Sequence, residues 1–279
     1  MHMEKHQTNT PNRIILLDRH MLSEGNLTGD NRNDPDIGGT ELGRKQVIAE
    51  ADFLMNELFP REGITEMPQI WAGGYKRVME GLDLKLQRMH EINPDFVDFK
   101  QIIYSDDMLT ERNFGDLAYV EHLLESVFKD DPIAQKSIMA DLAKGKAVYE
   151  GVPHSARPAH GESHKDMGVY ARLWGESVAR DMRAGSNVHW VNGHGDVDKG
   201  IISKLFHWHD QDIWDRIPPI GNCDVIMIKG EDAGIEGKAD WSIQKVYDGE
   251  KMKSCFEMPI YRTKPQRIGD FPFAQAPEL

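Results

Sequence analysis

The sequence predicts an α/β fold: a three-layer α/β/α sandwich with a mostly parallel central sheet and a helical insertion as lid. Three observations predict it. Short apolar runs of strand length, among them Ile14-Ile15-Leu16-Leu17 and the segment from Val188 to Asn192, alternate with longer stretches of helical period. Strands alternating with helices imply parallel pairing, with helices covering both faces. The helical stretch from about 106 to 160 is too long for a simple crossover, so it reads as an insertion over one end of the sheet.

The elements follow in order along the chain. Arg13 to Leu17 is short, apolar and bounded by polar residues, and predicts the first strand. Asp30 to Gly39 is a loop rich in Asn, Asp, Gly and Pro. Thr40 to Phe59 has helical spacing, with Leu42, Val47, Ala51, Leu54, Met55 and Leu58 on one stripe; Thr40 is its expected N-cap and Pro60 its expected stop. Gln69 to Ala72 reads as a second strand, followed by Gly73-Gly74 and a helix from about Tyr75 to Ile92. Gln101 to Tyr104 has the character of an edge strand. From Tyr119 to Tyr149 the pattern is helical but irregular, interrupted at Pro132. A loop from Gly151 to Gly161 precedes a long helix from about Glu162 to Ala184. The Val188–Asn192 strand, a helix from about Val197 to Trp208, and strands near Asp224–Ile228 and Trp241–Tyr247 complete a single domain spanning residues 1–279. The tail from 256 to 279, with its spaced prolines, is expected to be extended.

Composition narrows the possible functions. With 39% hydrophobic residues the chain can bury a full core, and a mean hydropathy of −0.55 argues against membrane residence. No apolar run approaches the roughly 20 residues that a spanning helix needs. The stretch from Met1 to Asn12 is polar, and the two cysteines, Cys223 and Cys255, supply neither a disulfide framework nor a zinc-finger pattern. A reducing, cytoplasmic setting is the expectation. Against 33 basic residues stand 46 acidic ones, a net charge of −13, which sets aside nucleic acid as a general partner. An anionic small substrate would also be repelled at long range, so a local arginine cluster has to hold it.

Such a cluster is present. A buried strand ending in Arg19-His20 delivers a cation and an imidazole to a strand's carboxyl end, where open α/β sheets bind ligands. His194, in Gly193-His194-Gly195, follows another strand in the same way. An imidazole can attack phosphorus and split one hard transfer into two easier ones. Arginine suits the equatorial oxygens because its planar fork donates two hydrogen bonds to one phosphate. On this reading His20 is the nucleophile, Arg19 and Arg77 clamp oxygens, and His194 donates a hydrogen bond. Ser23 and Asn26 add neutral donors, and Glu111 is the acid that protonates the leaving alkoxide.

These residues resemble the histidine phosphatase superfamily, also called phosphoglycerate-mutase-like. Five segments carry the resemblance in the expected order. They are Arg19-His20 with Ser23-Glu24-Gly25-Asn26; Gly74-Tyr75-Lys76-Arg77; Leu109-Thr110-Glu111-Arg112 with Phe114-Gly115; Gly161-Glu162-Ser163 with Asp166 and Arg172; and Gly193-His194-Gly195. Pro35-Asp36 before Thr40-Glu41-Leu42-Gly43, and Phe206-His207-Trp208 before Gly221-Asn222-Cys223, are similar to a subgroup of broad-range acid phosphatases. The resemblance implies a phosphorylated His20, phosphate binding by Arg19, Asn26, Arg77 and His194, proton donation by Glu111, a small phosphorylated substrate, and no metal or other cofactor. The sequence departs from the family at Met21, where glycine usually follows the nucleophile, and that predicts a narrowed pocket or a shifted loop. Gly73 or Gly74 replaces the usual serine before the second arginine, and Gly193 precedes the second histidine.

Other readings are weaker. His154, His160 and His164, and His207 with His209, fit no zinc spacing and have no cysteine partners. Gly193-His194-Gly195 lacks the third glycine of a dinucleotide site. Two alternatives to a phosphatase stay open on the sequence: a mutase returning phosphate to a hydroxyl, and a phosphate-ligand or protein-binding pseudoenzyme, the latter because of Met21.

Overall fold

The computed structural model describes residues 13–28, 35–100, 103–112, 128, 130–140, 161–205, 219–232, 238–256, 259–262 and 266–267. Its strands are β1 (Arg13–Arg19), β2 (Gln69–Ala72), β3 (Ile103–Ser105), β4 (Val188–Gly193), β5 (Val225–Asp232), β6 (Lys238–Asp248), β7 (Lys253–Ser254), β8 (Pro259–Arg262) and β9 (Gln266–Arg267). Its helices are α1 (Glu24–Thr28), α2 (Glu41–Phe53), α3 (Phe59–Glu62), α4 (Lys76–Ile92), α5 (132–140), α6 (His164–Arg183) and α7 (Gly195–Leu205).

Among the described residues the strands form one sheet in the order β3-β2-β4-β1-β5-β6-β7, with β8 and β9 also on β6. The half that carries the site, β3-β2-β4-β1, is parallel, and β5 to β9 pair antiparallel, so the sheet is mixed where the sequence predicts a mostly parallel one. The parallel register pairs Arg19 with Gly193, and Ala72 with both Asn192 and Ser105. Four strand ends and the segments that follow them therefore meet at one edge.

Alternation along β1 builds the three layers. Ile15 and Leu17 join Trp174, Val178, Val197 and Ile201 on the side of α6 and α7. Ile14 and Leu16 join Ala51, Leu54, Val78 and Leu82 on the side of α2 and α4. A strand buried on both faces reads as a continuous apolar run, and each such side chain contributes roughly 1.5–3 kcal/mol.

Helix ends follow local chemistry. Thr40 caps α2 by accepting from the Gly43 amide at 2.9 Å, and Ser163 and Asp166 form a capping box at α6. Pro60 does not stop the helix as expected. A π-helical turn from Leu54 to Leu58 shifts the ladder, so Pro60 falls in the first turn of α3, where its missing N–H costs nothing. The chain turns instead at Gly63, whose φ of 69° glycine accepts without strain. Pro132 opens α5 in the same way, with Asp131 accepting from the amides of Ile133 and Ala134.

Of the expected lid at about 106–160, the structure describes the turn Asp107–Leu109, the acid segment to Arg112 and α5; residues 113–127, 129 and 141–160 lie outside the described residues. So do residues 206–218 and most of the tail, although β8 and β9 extend it along β6. Among the described residues no helix is long and apolar enough to cross a membrane.

Candidate active site

The nucleophile candidate sits where β1 ends. The His20 amide donates to the Gly193 carbonyl at 2.9 Å, which ties the turn after β1 to the end of β4. Its ring Nδ1 lies 2.7 Å from the Met21 carbonyl, and Arg77 Nε donates to its Nε2 at 3.3 Å. These two contacts fix the tautomer: the proton is on Nδ1, and Nε2 presents its lone pair. Burial, and then the charges of His194, Arg19 and Arg77, hold the His20 pKa well below the ordinary 6.5 against the pull of Glu111. The imidazole is neutral at physiological pH.

The partners converge from three other elements. Arg77 lies one residue into α4, buried at 6% exposure, its guanidinium against the Tyr75 ring. His194 follows β4, with its ring 4.9 Å from that of His20 and edge-on to Tyr75. Glu111 arrives on the segment after β3, its Oε2 lying 3.2 Å from His194 Nδ1 and 3.7 Å from Arg77 Nη2. Burial alone would raise the Glu111 pKa, but His194, with help from His20, lowers it to about 2. Burial also lowers His194, with Glu111 opposing. Arg112, buried, anchors this segment to the start of α7 through Asp196 at 3.0 Å.

Asn26 and Ser23 divide their work. Asn26 Oδ1 accepts from the Ser23 amide at 3.1 Å, from Ser23 Oγ at 2.9 Å and from Asn222 Nδ2 at 3.1 Å. With its oxygen engaged, the Asn26 amide has its N–H donors to offer. The Ser23 hydroxyl is itself committed to Asn26 and buried at 2%, so it orients Asn26 instead of reaching the open side. Arg19 donates to the Ile220 carbonyl, and its charge is felt at both histidines.

Donor atoms of His20, Glu111 and His194 lie within 4.8 Å of one another, the one such group among the described residues that could hold a metal ion. Arg77 already donates to the His20 lone pair, and two guanidinium groups face the same space. The local charge suits an anion.

No protein-family model matches the chain, and no curated protein matches its sequence. Solved structures do match. A mycobacterial glucosyl-3-phosphoglycerate phosphatase superimposes with a TM-score of 0.57 at 16% identity, over 84% of this chain and 98% of that one. YhfR from Bacillus stearothermophilus gives 0.55 at 20% identity, over 85% and 96%. Phosphoglycerate mutase from Bacillus anthracis gives 0.53 at 12% identity, over 86% and 95%. The chain shares the fold of this phosphatase and this mutase.

Within that fold the departures have steric reasons. Met21 does not narrow the pocket. Its side chain is fully buried on the far side of the turn, with Val47, Cys223 and Leu84. Room for it comes from Gly39, where a Cβ would lie 2.2 Å from Met21 Sδ. At Gly73 a Cβ would lie 2.6 Å from the Leu109 carbonyl, so a serine there would collide with the segment that delivers Glu111.

Beneath the candidate site lies a buried ionic cluster that the sequence does not single out. Lys85 on α4 contacts Asp18 on β1, Glu50 on α2 at 2.9 Å and Asn192 Oδ1 on β4 at 3.2 Å. Trp190 Nε1 also donates to Asp18. Burial pushes both carboxyl pKa values up, and the two carboxylates raise that of Lys85 in spite of its burial. Asp18 lies two residues before His20 and Asn192 two before His194, so the cluster clamps the two strand ends that carry the imidazoles.

Proposed function

We propose that the protein is a metal-independent phosphomonoesterase that acts on a small phosphorylated substrate through a phosphohistidine at His20. The observation that carries this reading is the buried His20 Nε2, which accepts from Arg77 Nε with His194 and Glu111 gathered beside it. Arg19, Arg77, His194 and the Asn26 amide bind the phosphoryl oxygens. His20 Nε2 attacks phosphorus as the bond to the leaving oxygen breaks, and Glu111 gives that oxygen a proton. Water then attacks the phosphohistidine, Glu111 takes its proton, and inorganic phosphate leaves with His20 restored.

Glu111 is ionised in the empty site, so it takes up a proton from solvent as the substrate binds. A phosphoryl dianion beside Glu111 engages the Arg77 guanidinium and adds its own negative charge, and both effects raise the carboxyl pKa. Supporting the choice of phosphate, the mycobacterial phosphatase of the same fold has also been solved in complex with inorganic phosphate. Transfer to water is favoured over transfer to a second hydroxyl by the similarity of the Phe206 to Cys223 segments to acid phosphatases.

The test is p-nitrophenyl phosphate hydrolysis across roughly pH 4 to 8, spanning carboxyl and imidazole titration, with EDTA present and His20→Ala as control. Release that survives EDTA and vanishes in the variant is the expected result. Release that EDTA abolishes, or that needs an added bisphosphate primer, would replace the proposal with a metalloenzyme or a mutase. No release from folded protein that still binds vanadate would replace it with a pseudoenzyme.

A further inference from the structure

The turn that enters β5 reaches back to the nucleophile. Asn222 Nδ2 lies 3.0 Å from the His20 carbonyl, 3.3 Å from the Met21 carbonyl and 3.1 Å from Asn26 Oδ1. The Met21 carbonyl is also the acceptor that fixes the proton on His20 Nδ1. Asn222 Nδ2 and His20 Nδ1 are 3.5 Å apart, two donors side by side on one carbonyl oxygen.

The turn itself is held from behind. Asp224 accepts from the Gly221 amide at 2.6 Å, from the Gly249 amide at 2.9 Å and from Lys245 Nζ at 2.8 Å. Cys223 adopts a φ of 56°, an uncommon value for a residue with a side chain, and its amide donates to the Arg19 carbonyl at 3.0 Å. A strained turn with its backbone and carboxylate so fully engaged has one side chain directed at the catalytic loop, and that is Asn222.

We infer that Asn222 is a positioning residue: it fixes the orientation and tautomer of His20, and the outward amide of Asn26, by binding the carbonyl groups around them. The inference rests on the phosphohistidine reading for its effect on rate. Its effect on the imidazole tautomer stands apart from that reading. Partners that orient a reactive imidazole typically cost 10–100-fold when removed, about as much as outer partners of metal-bound histidine do.

The test uses Asn222→Ala and the isosteric Asn222→Asp, which keeps the shape of the turn if the alanine variant does not fold. Expected is a roughly 10–100-fold fall in kcat on p-nitrophenyl phosphate, with phosphate affinity reduced less than about tenfold. Nitrogen-15 NMR of His20 should show one tautomer, protonated at Nδ1, in the parent and a mixture in both variants. Asn222→Asp adds a sharper sign. Its ionised carboxylate faces carbonyl oxygens, whereas its protonated form donates a hydrogen bond, so its rate relative to the parent should climb as pH falls. Variants that keep the parent kcat and the Nδ1 tautomer, or an aspartate variant with a pH-independent ratio, would overturn the inference. A parent protein without turnover would count against the phosphohistidine reading alone, because the tautomer measurement would still decide the role of Asn222.

Discussion

Met21 and Gly39 form a pair whose coupling can be worked out from their contact. Met21 is fully buried, and an added Cβ on Gly39 would lie 2.2 Å from its sulfur and 2.4 Å from its terminal methyl. Met21→Ala opens a cavity and should cost roughly 2–5 kcal/mol. Gly39→Ala in the parent overfills the same space, for a cost of roughly 1–3 kcal/mol. In the Met21→Ala background the new methyl instead enters the cavity, and a buried methylene-sized group contributes about 0.8 kcal/mol. The sign of Gly39→Ala therefore reverses between backgrounds, and the coupling is about 2 kcal/mol or more. Urea unfolding followed by tryptophan fluorescence reads all four proteins. The reasoning fails if Gly39→Ala is equally destabilising with and without Met21. The same placement predicts that Met21→Gly loses stability without broadening turnover; a broadened substrate range at full stability would return Met21 to the pocket wall.

Two further predictions concern charge. Lys85→Met leaves Asp18 and Glu50 buried without their cation, which should cost roughly 3–5 kcal/mol and lower Tm by roughly 10 °C. Adding Asp18→Leu and Glu50→Leu should recover most of that loss, and a Lys85→Met protein melting like the parent would refute the clamp. The depressed His20 pKa predicts that the acid limb of kcat/KM, corrected for substrate ionisation, lies below the ordinary imidazole value of 6.5. The sign follows from burial and from neighbouring cations that disfavour the charged ring, so the neutral nucleophile persists as pH falls. A limb centred at the ordinary value would show a solvated imidazole.

Much of this was legible in the chain because local pattern and tertiary role agree. β1, β2, β4 and α4 read correctly because apolar runs and helical stripes report burial on sheet faces. The arginines, histidines and Glu111 can be grouped from the sequence because each ends or follows a strand or opens a helix, and the fold brings such positions to one edge. Pro60 misled because the π-helical turn before it moved the register, an effect of packing that no local residue announces. The tail predicts only an extended chain, because the pairing of β8 and β9 is decided by the edge of β6 and not by their own alternation. The Lys85 cluster left a trace that went unused. Lys85 lies among Val78, Leu82, Leu86 and Met89 on the buried stripe of α4, and Glu50 lies beside Val47 and Ala51 on that of α2. A charge on an apolar stripe demands a buried partner. Asn222 stands in the Gly221-Asn222-Cys223 segment that resembles acid phosphatases, but its role is not legible there, since its partners lie about two hundred positions away in the chain.

The central claim is a covalent one, so the most direct measurement looks for the bond. Protein mixed with a phosphomonoester, quenched under alkaline conditions within the first turnovers and digested for mass spectrometry, should carry one phosphoryl group on His20. That group should be labile to acid and absent from His20→Ala. Turnover with no phosphoryl group on His20, or with the group on another residue, would contradict the account.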